Sequence, residues 1–269
     1  MSAAATPVDR AYVLHSYPYS ETSLVLQAWT EKHGRMALMA KGAKRPRSAT
    51  RSLLVPFQPL AITWFGRGEM KTLKTAESAG PALPLAGSSL LSAFYLNELI
   101  LKLTHRDDPH EGLFEAYDAA VSALRAIARP VALVAAEPGA APASRSRETH
   151  ALVEPVLRRF ELAMLKELGF AVELARDAAS GAAIDPQREY WYVVEKGPVP
   201  CDGPQPARHD AVKLSGLTLA HLERGCFDDS RTAPEAKQLM RLLIHHCLNG
   251  QELATRALVR DVARLGDAA

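Results

Sequence analysis

The sequence predicts an α+β protein in which a small five-stranded β-barrel is followed by a mainly α-helical region. Over the first 80 residues, short segments alternate between apolar and polar residues, as half-buried strands do. From Ser88 onward the period changes, and apolar residues recur three and four positions apart, as on one face of a helix. The charge changes near the same place: residues 1–80 hold 11 Lys and Arg against 5 Asp and Glu, whereas the remainder holds 21 against 25.

Five N-terminal segments have the alternation expected of strands: residues 11–17, 23–29, 34–42, 59–66 and 70–77. The stretches PYSE, TEKHG and GRGE between them contain residues that suit tight turns. Because a sheet of five short strands must hide its edges, the favoured arrangement is a small closed barrel of the OB type. A small open sandwich is the alternative.

The helical region begins with residues 88–106, where Leu91, Phe94, Tyr95, Leu99 and Leu103 lie at helical spacing. Further helices are predicted at residues 111–128, 153–169, 234–248 and 251–264. The segment 135–149 consists largely of small residues with Pro and Gly, so we expect a mobile loop. These features divide the chain into a barrel domain, residues 1–80, and a helical domain, residues 81–269.

Composition is that of a globular protein of one large or two modest domains. Three scattered cysteines, Cys201, Cys226 and Cys247, form no disulfide framework, which favours a reducing compartment. The N-terminal residues lack the pattern of a signal peptide, and no apolar run is long enough to cross a bilayer. We therefore expect an intracellular protein that is not bound to a membrane.

The positive charge is concentrated in residues 34–51, a segment without a single acidic residue. Its cations are Arg35, Lys41, Lys44, Arg45, Arg47 and Arg51, and Arg67 lies in a later turn. Gly42, Pro46 and Ser48 indicate a loop, from which these side chains can reach a phosphate backbone. A localised positive surface is typical of proteins that bind polyanions. We take these seven residues as the candidate nucleic-acid site; the alternative is an ordinary solvated loop.

Aromatic residues lie close to the basic segment in the sequence. They are Tyr12, Tyr17, Tyr19, Trp29, Phe57, Trp64 and Phe65. Proteins that bind single strands without sequence preference combine a cationic groove with aromatic side chains on which bases stack. We expect more than half of these aromatics to belong to the core and the remainder to be available for stacking.

The order of these residues also carries a resemblance to a known family. The segment AYVLHSYPYSETSLVLQAWTEKHGRMALMAKGAKRPRS, followed by LLVPFQPLAITWFGRGEMKTLKTAE, YLNELILKL, LRRFELAMLKELGF and LNGQELATRALVRDV, resembles the RecO family of bacterial recombination mediators. The similarity extends over nearly the whole chain. It implies an N-terminal OB-fold, a helical C-terminal domain, annealing of single strands, and help in loading RecA onto DNA coated by single-strand-binding protein.

The resemblance also implies partners and a location. Single-stranded and double-stranded DNA would be bound, RecR would act in loading, and RecA and RecF would be indirect partners in a cytoplasmic, nucleoid-associated protein. The acidic tail of single-strand-binding protein would be bound by the helix containing Leu157, Arg158 and Phe160, because Arg158 aligns with the family's basic position for that tail. An ordinary solvent-facing arginine is the alternative.

One departure from the family concerns zinc. Many members carry two C-x-x-C pairs, and this sequence has Asp177 with Ser180 and Cys201 with Pro204 at those positions, in a degenerate zinc-finger-like region at about 175–205. Tetrahedral structural zinc needs four ligands, mainly Cys and His. Other residues that could in principle supply ligands are His209, His221, Cys226, His245, His246 and Cys247. Adjacent helical residues do not converge on one centre, so we expect neither a metal nor another cofactor.

We expect no catalytic site. The sequence has no G-x-x-x-x-G-K-[ST] segment for binding nucleotide phosphates. The cluster HRDDPHE has residue types that could bind a metal or transfer protons, but Pro109 places it in a loop between helices. We therefore interpret His105, Asp107, Asp108, His110 and Glu111 as a solvated loop, with an Asp as a helix cap.

Three functions compete at this point: a DNA-annealing and loading protein, a metal-dependent nuclease, and an RNA-binding or translation adaptor that uses the same barrel. A nuclease needs clustered carboxylates, whereas the basic segment is acid-free. The adaptor would prefer RNA, so binding of RNA and DNA of equal length separates it from the first function.

Overall fold

A computed structural model describes residues 8–81, 84–134, 142–170, 172–203, 206, 210–227 and 229–258. The chain forms two compact units, Met1–Val134 and Ala135–Ala269. Within the described residues, no helix combines the length and the apolar character needed to cross a bilayer.

The first unit contains the five predicted strands. They are β1 (Asp9–Tyr19), β2 (Ser23–Thr30), β3 (Gly34–Ala40), β4 (Leu60–Phe65) and β5 (Met70–Ser78). The strands form a closed barrel in the order β1-β2-β3-β5-β4, and β1 closes it by pairing with β4. All pairs are antiparallel except β3 with β5. The predicted OB-fold is therefore confirmed, and the open sandwich is excluded.

The interior of the barrel is apolar on every strand. One buried cluster contains side chains from all five strands, among them Val13, Leu26, Leu38, Ile62 and Ala76 of β1 to β5 in order. Each large side chain in such a core contributes about 1.5 to 3 kcal/mol relative to an exposed position. The strand alternation in the sequence reflects this burial of one face.

A β-bulge in β1 changes which side chains face the core. Ala11 and Val13 belong to the interior cluster, but the pairing with β2 shifts between Val13 and His15. One extra residue in a strand reverses the side-chain alternation that follows it. Tyr17 and Tyr19, which an unbroken alternation would place inside the barrel, are instead 40% and 49% exposed.

Two helices of the first unit support this bulge. Asn97 of α1 (Gly87–Leu103) donates a hydrogen bond of 2.8 Å to the carbonyl oxygen of Leu14, the residue within the bulge. The hydroxyl of Tyr117 in α2 (Glu111–Val134) donates to the amide oxygen of Asn97 at 2.6 Å. Tyr12 lies edge-on to Tyr117 with ring centroids 5.0 Å apart. The two helices therefore pack on the outer surface of β1.

The connection between α1 and α2 is also fastened to the barrel. A Cβ atom at Gly34, whose φ is +67°, would lie 2.0 Å from the carbonyl oxygen of Asp108. The amide of Asp107 donates to the carbonyl oxygen of Arg35 at 2.9 Å, and the carboxylate of Asp107 pairs with Lys71. Residues 105–110 thus lie between the helices as expected, whereas Glu111 already begins α2. Asp107 serves as an ion-pair partner for β5.

The second unit combines helices with a small sheet. Its elements are α3 (Pro142–Glu167), β6 (Glu189–Val193), β7 (Gly197–Pro200), β8 (Ala211–Ser215), α4 (Gly216–Glu223) and α5 (Thr232–Cys247). The sheet has the order β7-β6-β8 and both of its pairs are antiparallel. Helix α5 packs against α3, α4 and β8.

The second unit differs from the sequence prediction in three places. The sheet was not predicted, because its strands have only four or five residues and β7 contains Pro198 and Pro200. Of the loop expected at 135–149, residues 135–141 lie outside the described residues, and α3 already begins at Pro142, since Pro is favoured in the first helical position. Of the helix expected at 251–264, residues 254–258 are helical and the positions from 259 onward are not described.

Replacing Asn97 with Ala should destabilise the protein, because the carbonyl of Leu14 loses its buried donor. We expect the free energy of unfolding, measured in urea, to fall by about 1 to 3 kcal/mol. Ser89 is the matched control, since it is buried on the same helix and its hydroxyl has no hydrogen-bond partner in the described structure. Ser89→Ala should change stability by less than about 0.5 kcal/mol; an equal loss in both variants would refute a specific role for Asn97.

Candidate nucleic-acid interface

The basic loop, residues 41–59, connects β3 to β4 and is built from successive turns. The amide of Lys44 donates to the carbonyl oxygen of Thr22 at 2.9 Å, and the ammonium of Lys44 donates to that of Ser20 at 3.3 Å. These bonds hold the start of the loop against the turn between β1 and β2. This anchor could not be predicted, because backbone carbonyls that accept a hydrogen bond leave no signal in the sequence.

Most of the predicted cations face solvent. Lys41, Arg45, Arg47, Arg51 and Arg67 are exposed. In the described part of the chain, none of these five side chains has an ion pair or a hydrogen bond. An unpaired surface cation keeps its full attraction for phosphate, so the five residues form a positive surface without internal compensation.

The other two predicted cations have partners within the first unit. Lys44 is half-buried and is bonded to the turn described above. Arg35 is also half-buried, and its Nη2 donates to the carbonyl oxygen of Thr104 at 2.8 Å. Burial, together with the nearby charge of Arg106, lowers the pKa of Arg35. Both side chains hold the loop and the helices to the barrel, and contact of either with nucleic acid stays a prediction.

The seven aromatics divide into a buried and an exposed group. Tyr12, Trp29, Phe57 and Trp64 are buried, whereas Tyr17, Tyr19 and Phe65 are exposed, the last at 55%. The expectation that more than half belong to the core is therefore confirmed. The three exposed rings are the side chains that can offer a face to a base.

The strand register places the exposed rings on both sides of the end of β3. Met39, near that end, pairs with Val25 on one side, and Val25 pairs with Tyr17. On the other side Met39 pairs with Thr72, which pairs with Phe65. The basic loop starts directly after β3, so its first residues lie between the positions of Tyr17 and Phe65. This juxtaposition of rings and unpaired cations is the candidate nucleic-acid interface.

The residues expected to bind the tail of single-strand-binding protein lie in α3. Leu157, Arg158 and Phe160 are all buried, and the side chain of Arg158 is only 6% exposed. Its guanidinium donates to the carboxylate of Glu161 at 2.8 Å and lies 3.9 Å from that of Glu154. Docking of the tail at these residues stays a prediction, and it requires a carboxylate to reach a guanidinium that is buried and already paired with Glu161.

The positions aligned with the family's zinc ligands are closed by hydrogen bonds. The carboxylate of Asp177 accepts from the amide of Ala179 at 2.7 Å and from the hydroxyl of Ser180 at 2.8 Å. Burial raises the pKa of the Cys201 thiol, which disfavours the thiolate that zinc requires. Pro204 and His209 lie outside the described residues. A donor set of one carboxylate, one hydroxyl and one thiol does not fit the Cys and His ligands of a tetrahedral structural zinc site.

Two of the remaining candidate ligands have separate partners. His221 shares a hydrogen bond of 2.8 Å with Thr232, and His246 lies 3.2 Å from the carboxylate of Glu195. Burial raises the pKa of Cys247 to about 11. Among the described residues, no group of three or more His, Cys, Asp or Glu side chains could hold a metal ion.

The fold and this interface define a class: an OB-fold protein with an exposed basic and aromatic surface on its barrel. The family described as "Recombination protein O N terminal" matches residues 5–82, and "Recombination protein O C terminal" matches residues 147–255. Curated relatives named "DNA repair protein RecO" include those of Azoarcus sp. (strain BH72), 43% identical over 95% of this chain and 96% of the relative, and of Laribacter hongkongensis (strain HLHK9), 42% identical over 96% of each. The chain belongs to the RecO family of DNA repair proteins.

Replacing Arg158 with Ala should lower the free energy of unfolding of the protein itself, in the absence of any binding partner. The change takes the buried carboxylate of Glu161 out of its 2.8 Å ion pair, so we expect a loss of about 3 to 5 kcal/mol in urea unfolding. Arg159 is the matched control, because it is the next residue of α3, is exposed and lies over the ring of Phe227. Arg159→Ala should cost less than about 1 kcal/mol. Equal stabilities of the two variants would contradict the burial of Arg158.

Proposed function

We propose that this protein is a DNA repair and recombination mediator that binds single-stranded DNA on its barrel and anneals complementary strands. It also helps to load RecA onto strands coated by single-strand-binding protein. The observation that carries the proposal is the set of five exposed, uncompensated cations, Lys41, Arg45, Arg47, Arg51 and Arg67, beside exposed aromatic rings. The membership of the chain in a DNA repair family supports the same function.

The proposed binding has two physical contributions. Cations that neutralise phosphates release condensed counterions, which gives affinity for any sequence and a strong dependence on salt. Bases that stack on Tyr17, Tyr19 or Phe65 add about 1 to 3 kcal/mol each, also with little sequence preference. Both contributions are reversible and use no nucleotide, so two strands held on such surfaces can exchange partners until they pair.

The partners belong to the same proposal. RecR would act with the protein in loading, RecF and RecA would be reached indirectly, and double-stranded DNA would be bound by the same cations. The tail of single-strand-binding protein would be bound by the second unit. The site of action would be the cytoplasm, at the nucleoid. Membership of the family supports these assignments.

The first test removes three of the unpaired cations. Arg45, Arg47 and Arg51 changed together to Ala should reduce the slope of log affinity against log salt on single-stranded DNA by about 2, since each phosphate contact contributes about 0.7. In the matched control, Arg188, Lys213 and Arg231 are changed together to Ala. These three cations are paired with the carboxylates of Asp202 and Glu189 in the second unit. That control has the same change in net charge and should leave the slope almost unchanged.

The same pair of triple variants tests annealing. Complementary strands coated by single-strand-binding protein should anneal with the unmodified protein in the absence of ATP, more slowly with the loop variant, and at the normal rate with the control. Failure of the unmodified protein to anneal coated strands would overturn the proposed function. Equal effects of the two triple variants would move the binding site away from the basic loop.

The second test concerns stacking. Changing Tyr17 and Tyr19 together to Ala should weaken binding of single-stranded DNA by about 5- to 150-fold for each base that loses its stack, whereas the Phe versions keep the ring and should bind almost normally. The measurement is fluorescence anisotropy on DNA and RNA of equal length. Tighter binding of RNA would favour the adaptor function, and normal binding by the Ala variant would exclude stacking on these two rings.

A further inference from the structure

The first unit contains a cavity of about 340 Å³ that the proposed function does not use. It lies where the beginning of β1, the beginning of β4 and the segment after β5 meet α2. Apolar groups from Phe114, Leu60, Pro59 and Pro81 form part of its wall. Arg10, Asp118, Ser122 and Arg125 supply the polar part.

Arg125 is the unusual member of this wall. The residue is 6% exposed, so its charge is almost completely withdrawn from water. Its Nη2 donates to the carbonyl oxygen of Phe57, while its Nε is buried without any acceptor. In the described part of the chain, Arg125 has no carboxylate within ion-pair distance. A buried cation without a counterion is energetically costly, and proteins normally compensate such a charge.

The other charges around the cavity form one cluster around Arg10. Arg10 is paired with Glu31, Glu115 and Asp118 at 3.3, 2.7 and 3.2 Å. Asp118 also accepts a hydrogen bond from the hydroxyl of Tyr12. Burial and this carboxylate raise the pKa of Tyr12, so the phenol stays neutral. Arg125 takes no part in these ion pairs, so its own charge has no direct counterion in the described structure.

We propose that this cavity binds the oxyanion group of a small organic ligand, a phosphate or a carboxylate attached to an apolar body. Arginine recognises both groups through the planar set of N–H donors on its guanidinium. The oxyanion supplies the missing counterion for Arg125, and the apolar body contacts the wall that includes Phe114 and Leu60.

This site is separate from the candidate nucleic-acid interface. Ala11, which lines the cavity, precedes the exposed Tyr17 by six residues on β1, roughly 20 Å along a strand. None of the five unpaired cations of that interface lines the cavity. Binding of a small anion at Arg125 and binding of DNA at the basic loop are therefore measurable independently.

The experiment titrates the full chain with phenyl phosphate, with benzoate, and with neutral benzamide as the uncharged comparison, and it measures binding by calorimetry. At least one of the two anions should bind, and which one binds more tightly identifies the group that the cavity prefers. Arg125→Gln should weaken that binding by about tenfold or more, because it removes the charge. Arg45→Ala, which removes an exposed cation of the basic loop, should leave it unchanged.

A second variant covers the case in which Arg125→Gln does not fold. Ser122 is exposed on α2 and lines the cavity, so Ser122→Leu narrows the cavity at a position where a helix tolerates leucine. This variant should fold normally and lose anion binding while keeping its affinity for single-stranded DNA. The proposal is overturned if neither anion binds, if benzamide binds as well as the anions, or if Ser122→Leu binds them normally.

Discussion

The hydrogen bond from Asn97 to the carbonyl of Leu14 is the interaction on which the shape of the candidate nucleic-acid interface depends. A bulge leaves a strand carbonyl outside the regular ladder, and a buried carbonyl needs a donor. Helix α1 provides that donor, and Tyr117 of α2 fixes the orientation of the amide. The bulge in turn directs Tyr17 and Tyr19 outward. The two helices thus determine how β1 presents Tyr17 and Tyr19. They also contact the basic loop, since Phe94 of α1 packs edge-on against Phe57 and Arg125 of α2 donates to the carbonyl oxygen of Phe57.

The five strands could be predicted because a barrel buries one face of each strand, which imposes a period of two on the sequence. The bulge in β1 could not be predicted, because Tyr12, Val13 and Leu14 are all buried. Three consecutive buried residues show no alternation, so the sequence does not reveal where the side-chain direction changes. Strand β6 contains buried Tyr190 and Tyr192 in alternation, but five residues are too few to distinguish a strand from chance.

The basic loop could be predicted from the sequence, but which of its cations are exposed and which are paired could not. Arg35 and Arg158 resemble the other basic residues in the sequence, yet their partners, Thr104 and Glu161, are supplied by folding. Arg125 was not singled out, although it follows Tyr117 and Val121 at intervals of four on the buried face of α2. A charged residue within an apolar helical stripe is the signal that could have identified it.

The packing of Gly34 against Asp108 has a consequence for the modular character of the barrel. The N-terminal family match ends at residue 82, but a folding unit is defined by contacts, and those of β1 and β3 extend to α2. A fragment that stopped near residue 80 would expose the ring of Tyr12 and the backbone groups that now meet the helices. The compact unit that keeps these contacts is the 134-residue one, so transfer of the candidate interface to another protein requires the helices as well as the barrel.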